Sequence, residues 1–264
     1  MNLQLENKTA LISGSTTGIG FAIAKKLAEE GAIVFVNGRS QEKVVEAIHR
    51  IQQHVTGARV YGFAADFGNV NEVNALIKEI PTIDILVNNV GIFEPKPFAE
   101  IPDEDWIKFY EVNVLSGVRL SRHYFPQMLK NNWGRIIFIS SESAIQIPEE
   151  MIHYGMTKTA QLAISRGLAE LTKGTNVTVN TVLPGPTKSE GVTDFLDALG
   201  KQQNKSMDTV EKEFFQSARP TSLLQRFTSP DEVANLVAFV ASPISSATNG
   251  AALRADGGVV KSAV

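Results

Sequence analysis

Short β-branched runs alternate with longer amphipathic stretches along the whole chain, and this alternation restricts the fold more than any other feature. The apolar runs cover residues 9–13, 33–37, 60–64, 83–88, 135–140, 177–183 and 251–254. Between them, residues 18–30, 41–53, 71–80, 103–130, 151–172 and 229–241 carry apolar side chains at three- and four-residue steps, which predicts helices. Pro230 falls where a first helical turn accepts it. Repeated strand–helix–strand units build an α/β fold: a doubly wound parallel sheet of about seven strands with helices on both faces.

Composition does not shift along the chain, and there is no Gly/Ser-rich or Pro-rich linker and no internal repeat, so residues 1–264 read as a single domain. Residues 186–227 are the exception. They interrupt the alternation, are rich in Lys, Gln, Ser and Thr, and lie between the last two strands. An insertion of that size predicts a substrate-binding lid.

A hydrophobic share of 43% and a charged share of 20% are those of an ordinary folded domain. The formal net charge of -3 gives no broad footprint for a phosphate backbone, so nucleic acid is not an expected partner. The chain has no Cys, which excludes disulfides and thiolate metal sites and fits a reducing cytoplasm. His49, His54, His123 and His153 are scattered without ligand spacing, so no metal is expected. The polar first eight residues do not read as a secretory signal, and no stretch is apolar enough to span a bilayer.

Directly after the first strand stand Gly14, Ser15, Thr16, Thr17, Gly18, Ile19 and Gly20, followed by a helical pattern. A strand that turns sharply into a helix, with a pyrophosphate resting on exposed helix N–H groups, cannot carry Cβ atoms at the points of closest approach. The spacing is GxxxGxG rather than GxGxxG, and taken alone it also fits a glycine-rich turn that holds no ligand. The second strand ends at Arg39 and Ser40, with no acid to accept from the ribose hydroxyls. Arg39, helped by the hydroxyls of Ser15 and Ser40, would attract a 2′-phosphate, which favours NADP(H) and leaves NAD(H) possible; a solvated loop charge is the plainer alternative.

Taken in order, the glycine turn, Asn88-Asn89-Val90-Gly91, Asn113, Ser141 and Tyr154-Gly155-Met156-Thr157-Lys158 make the chain resemble the short-chain dehydrogenase/reductase family over nearly its whole length. The fold expected from that resemblance is Rossmann-like. Tyr154 and Lys158 are four residues apart, so on one helix they share a face. A phenol is a poor base at neutral pH, and a nearby ammonium would bring it into useful range. The resemblance implies Tyr154 as acid/base, Lys158 also on the nicotinamide ribose, Ser141 on the substrate oxygen and Asn113 as a water link from Lys158 to solvent.

It further places Asp66 and Phe67 at the adenine, though an Asx turn at Asp66 is equally plausible. Asn88, Val90 and Gly91 are placed along the adenosine side, with Val90 where the family has Ala; Asn88 and Asn89 could equally be structural. Pro184, Gly185, Thr187 and Ser189 resemble the segment bordering the nicotinamide, and residues 254–258 a closing strand and turn of structural role.

The reading is therefore an NADP(H)-dependent oxidoreductase that reduces a ketone or keto ester, of 3-oxoacyl or carbonyl-reductase type, to a secondary alcohol by hydride transfer. The alternatives are an NAD-dependent secondary-alcohol, sugar or steroid dehydrogenase and, in another class, a non-catalytic dinucleotide sensor. Ile92, Phe93, Glu142, Ser143, Ile145, Ile147, Pro148 and Met151, with residues 186–227, are expected to wall a mainly apolar substrate site. The family implies a homodimer or homotetramer, with the predicted helix 103–130 as its contact.

Overall fold

A computed structural model describes residues 2–263. Seven strands form one sheet: β1 (Thr9–Ile12), β2 (Ile33–Gly38), β3 (Arg59–Ala64), β4 (Ile85–Asn88), β5 (Gly134–Ile139), β6 (Val177–Pro184) and β7 (Ala252–Ala255). Their order is β3-β2-β1-β4-β5-β6-β7, and every pairing is parallel. The chain winds outward from β1 in one direction and from β4 in the other, so a crevice opens above the strand ends where the direction reverses.

Successive residues of each central strand face opposite layers. Ile12, Val87 and Ile137 pack with α1 (Gly18–Glu29), α2 (Gln41–His54) and α9 (Pro230–Ala241). Leu11, Leu86, Ile136 and Phe138 pack with α3 (Val70–Glu79), α5 (Ser116–Lys130) and α6 (Ile152–Glu170). The near-continuous apolar strands of the sequence follow from this burial on both faces.

One expectation needs correction. The helix predicted over residues 103–130 is α4 (Asp103–Tyr110) and α5 joined by a π turn at Glu111–Leu115. A π turn inserts a residue without breaking the amphipathic pattern, so sequence periodicity does not reveal it. It buries Asn113. Residues 186–227, the segment expected as a lid, contain two capped helices, α7 (Glu190–Gln203) and α8 (Met207–Ser217), around a small cluster of Leu196, Val210, Phe215 and Phe227. No helix among the described residues is long and apolar enough to cross a membrane.

Candidate active site

Beyond the ends of β4, β5 and β6 lies a cavity of about 490 Å³, closed on its far side by residues of the 186–227 segment. Ser141, just after β5, and Tyr154 and Lys158, one turn apart on α6, all line it. The helical spacing read in the sequence thus delivers both side chains to one place. Ser141 lies close enough to the Tyr154 hydroxyl to favour its ionised form, and the Lys158 ammonium lies 5.6 Å from the Tyr154 ring centroid.

The electrostatics differ from the expected poise of a phenol beside a free ammonium. Burial, reinforced by the Glu142 carboxylate, raises the phenol above its ordinary pKa, against weaker opposition from Ser141 and Arg219. Lys158 is 4% exposed, and burial brings its ammonium down to about 8. Its Nζ donates to the Ile139 carbonyl at 3.0 Å and to Gln161 Oε1 at 3.5 Å.

Asn113 does not present its side chain to Lys158. Its Oδ1 accepts the Ile92 N–H at 2.7 Å, and its Nδ2 donates to the Ile92 carbonyl and to Thr157 Oγ1, each at 3.0 Å. The Asn113 carbonyl accepts from Gln161 Nε2 at 2.5 Å. Gln161 therefore bridges the Asn113 carbonyl and the Lys158 ammonium. Its position three residues after Lys158 on α6 was the available sequence signal.

Ser141 also departs from its expected geometry. Its hydroxyl donates to Glu142 Oε2 at 2.5 Å and accepts the Ser143 N–H at 3.1 Å, so its one hydrogen is directed at a carboxylate. Glu142 is 4% exposed and its Oε1 accepts from Arg219 Nε at 3.0 Å. Arg219 follows α8, is 8% exposed, and reaches Glu150 Oε1 at 3.3 Å. The cavity wall is thus mostly apolar but charged beside Ser141. Sequence reading had Glu142 on the wall and missed Glu150 and Arg219; an acid so close to a buried strand end needs a counter-charge, but nothing local points 77 residues away. Ile92, Phe93, Ser143 and Met151 line the cavity as expected, whereas Ile145, Ile147 and Pro148 are not among its lining residues. Ile145 and Ile147 are exposed.

At the crevice, Gly14 and Gly18 have φ of +61° and +60°, which an L side chain rarely adopts. A Cβ on Gly20 would stand 2.4 Å from the Gly14 carbonyl. Thr17 begins α1 without a side-chain cap, unlike Ser40 and Asn69, which cap α2 and α3. The helix start takes a carboxylate instead: Gly18 N–H donates to Glu190 Oε2 at 2.7 Å. A helix terminus that attracts an anionic oxygen suits a pyrophosphate. Ile19 lines the cavity beside it, and Thr16 packs over Gly38.

Arg39 is exposed at the end of β2 and forms no ion pair among the described residues. The help expected from Ser15 is corrected: it is fully buried, donating to the Ile12 carbonyl and accepting the Asn37 N–H. Ser40 remains exposed beside Arg39. Asp66 forms the Asx turn, accepting Gly68 N–H on Oδ1 at 2.9 Å, and Phe67 is buried beside it. Asn88 turns its Nδ2 inward to Ser121 on α5, and its Oδ1 is buried without a partner. Asn89 secures the glycine turn through the Ser13 and Gly14 carbonyls. Val90 packs on Gly14, and Gly91 leaves room for Lys158 Nζ, which a Cβ there would meet at 3.3 Å. Pro184, Gly185, Thr187 and Ser189 line the cavity.

The family described as short chain dehydrogenase matches residues 8–199. The uncharacterized oxidoreductase YvaG of Bacillus subtilis (strain 168) is 53% identical, over 99% of each chain. The 3-oxoacyl-[acyl-carrier-protein] reductase FabG of Aquifex aeolicus (strain VF5) is 32% identical, over 98% of this chain and 100% of that one. The crystal structure of L-sorbose reductase from Gluconobacter frateurii, complexed with NADPH and L-sorbose, superposes with a TM-score of 0.93 at 30% identity, over 99% and 100% of the two chains. Sequence span, sheet order and full-length likeness agree, and the protein belongs to the short-chain dehydrogenase/reductase family of oxidoreductases.

Proposed function

We propose that the protein uses NADP(H) to reduce a ketone or keto ester to a secondary alcohol, as a carbonyl reductase or 3-oxoacyl-type reductase. The observation that carries this reading is the convergence of Ser141, Tyr154 and Lys158 on one cavity that adjoins the glycine turn. The glycine turn and the uncapped start of α1 would hold the pyrophosphate, Arg39 and Ser40 a 2′-phosphate, Asp66 the adenine, and residues 184–189 the nicotinamide side. The bound cofactor supplies the hydride. Tyr154 delivers the proton to the carbonyl oxygen, Ser141 orients that oxygen, and Lys158 holds the ribose hydroxyls and brings positive charge to the phenol. Residues 186–227 act as the lid of a single-domain enzyme.

Relatives named for reduction of 3-oxoacyl chains and of L-sorbose, the latter with NADPH bound, support the reaction class. The exposed, unpaired Arg39 supports NADP(H) over NAD(H). The absence of Cys favours the cytoplasm, and the exposed Ile107 and Tyr110 of α4 favour a homodimer or homotetramer built on the 103–130 region.

The test is a ketone and alcohol panel assayed with both cofactors. NADPH should bind at least about tenfold more tightly than NADH; the reverse ratio ends the NADP(H) assignment. Tyr154→Phe should lose roughly 10²–10⁴-fold in turnover with NADPH binding nearly unchanged. Near-native rates in that variant remove Tyr154 from the chemistry, and binding without turnover across the panel favours a dinucleotide sensor.

A further inference from the structure

The reading above leaves the charged wall beside Ser141 without a task. Ser141 has one hydrogen, and its Oγ donates it to Glu142 Oε2 across 2.5 Å. For Ser141 to donate to a substrate carbonyl, that hydrogen must leave Glu142. A carboxylate oxygen in a buried site that loses its donor costs free energy unless another donor takes the place. Arg219 already gives its Nε to the other oxygen, Oε1, and its Nη1 to Glu150 and the Ala218 carbonyl. A donor on the substrate can take that place.

We propose that Glu142, positioned by Arg219, selects ketones that carry a hydroxyl on the carbon next to the carbonyl. This deepens the carbonyl-reduction reading and rests on it. The exchange conserves hydrogen bonds: the substrate hydroxyl donates to Glu142 while the Ser141 hydroxyl turns to the carbonyl oxygen. The arrangement matches, because an α-hydroxyl and its carbonyl oxygen are an adjacent donor and acceptor, and they face the Glu142 carboxylate as acceptor and the Ser141 hydroxyl as donor.

A plain ketone offers no donor and leaves Glu142 unsatisfied. An α-keto acid is worse, because it places a third carboxylate against a wall that holds Glu142 and Glu150 against the single guanidinium of Arg219. Selection on this wall therefore works through a polar exchange and a like-charge penalty together.

Three four-carbon ketones isolate the effect: 2-butanone, 1-hydroxy-2-butanone and 2-oxobutanoate share a carbonyl at C2 and differ only at C1. Each is titrated calorimetrically into the full-length protein saturated with NADP+, whose oxidised ring cannot reduce a ketone, so binding is read without turnover. 1-Hydroxy-2-butanone should bind about tenfold more tightly than 2-butanone, and 2-oxobutanoate most weakly. Glu142→Gln should erase the advantage of the hydroxyl and move 2-oxobutanoate to first place, because Arg219 then loses its principal counter-charge.

Equal or tighter binding of 2-oxobutanoate by the unmodified protein overturns the proposal, as does any failure of the hydroxyketone to bind better than butanone. Because this ordering is read on the unmodified protein, it holds even if Glu142→Gln fails to fold. Rates with NADPH on the same three compounds separate the two readings. Turnover without the binding order sinks the selectivity proposal alone, and the binding order without turnover sinks carbonyl reduction alone.

Discussion

The sheet with its flanking helices and the 186–227 segment are held by different forces, and both border the same cavity. The frame buries apolar layers on both faces of the central strands of a seven-stranded parallel sheet. The segment has one small cluster of four buried residues and is otherwise attached by polar ties. Glu190 meets Gly18 and Arg50 at one end, and Arg219 meets Glu142 at the other. Thr187 and Thr228 join its two ends in an isolated bridge. Apolar burial is non-directional and has no substitute when it is lost, whereas a polar tie can be exchanged for a ligand oxygen at small net cost. The frame is therefore built to stay, and the segment is attached where ligand groups can take over its contacts.

The largest effect that tests this contrast is one truncation made in each region. Phe138 is buried on β5 against Gly117 of α5, and Phe138→Ala should cost about 3–5 kcal/mol of global stability. Phe215 is equally buried but within the small cluster of the segment. Phe215→Ala should leave the main unfolding transition nearly in place and speed proteolytic cleavage inside residues 186–227. Denaturant unfolding with peptide mapping reads both. A shared loss of global stability would make the segment part of the frame.

The second effect tests the frame at its edge toward the cavity. Lys158 has a folded pKa of about 8 against an ordinary 10.5, lowered by burial. Between these values the unfolded chain binds a proton that the folded chain does not. Stability from this group is thus complete above the unfolded value and is lost as the pH falls through about 8, a difference of roughly 3 kcal/mol. Lys158→Met keeps the apolar stem without the charge. In the absence of nucleotide it should be more stable than the parent at pH 7 and lack the parent's rise between pH 8 and 10. Parallel pH profiles in denaturant unfolding would show that the ammonium is not the source.

The same contrast explains what the sequence disclosed. All seven strands and the order of motifs were legible because a parallel sheet imposes apolar runs and turns that one reads locally, as at residues 9–13 and the glycine turn. Tyr154 and Lys158 were placed together by helical spacing alone. What escaped depends on contacts across long separations. Arg219 reaches Glu142 over 77 residues, Ser15 is consumed by Asn37, and Asn88 turns to Ser121 instead of the crevice. The π turn at Asn113 escaped for a different reason, since it leaves the apolar period of α4 and α5 intact. In α7 and α8, a polar composition hid helices whose caps, Ser189 and Ser206, were nevertheless present in the sequence.

The smallest effect tests whether the polar ties do yield to ligand oxygens. Glu190 begins α7 and places its carboxylate on Gly18 N–H, with Arg50 3.6 Å from its other oxygen. The start of α1 carries the partial positive charge of a helix N-terminus, and a pyrophosphate would use the same N–H groups. The carboxylate is then an occupant that nucleotide binding displaces, and its charge opposes the incoming phosphates. Glu190→Gln keeps the side-chain length and an acceptor oxygen but removes that charge. NADPH should bind this variant about two- to fivefold more tightly, the range of a helix-terminus charge at an exposed position. Without nucleotide, residues 186–227 should be cleaved faster because the tie to Gly18 is weaker. Equilibrium titration and limited proteolysis read the two arms separately. Weaker nucleotide binding in the variant would mean that Glu190 clamps a bound cofactor, and the account of the segment as held by exchangeable contacts would fail at this end.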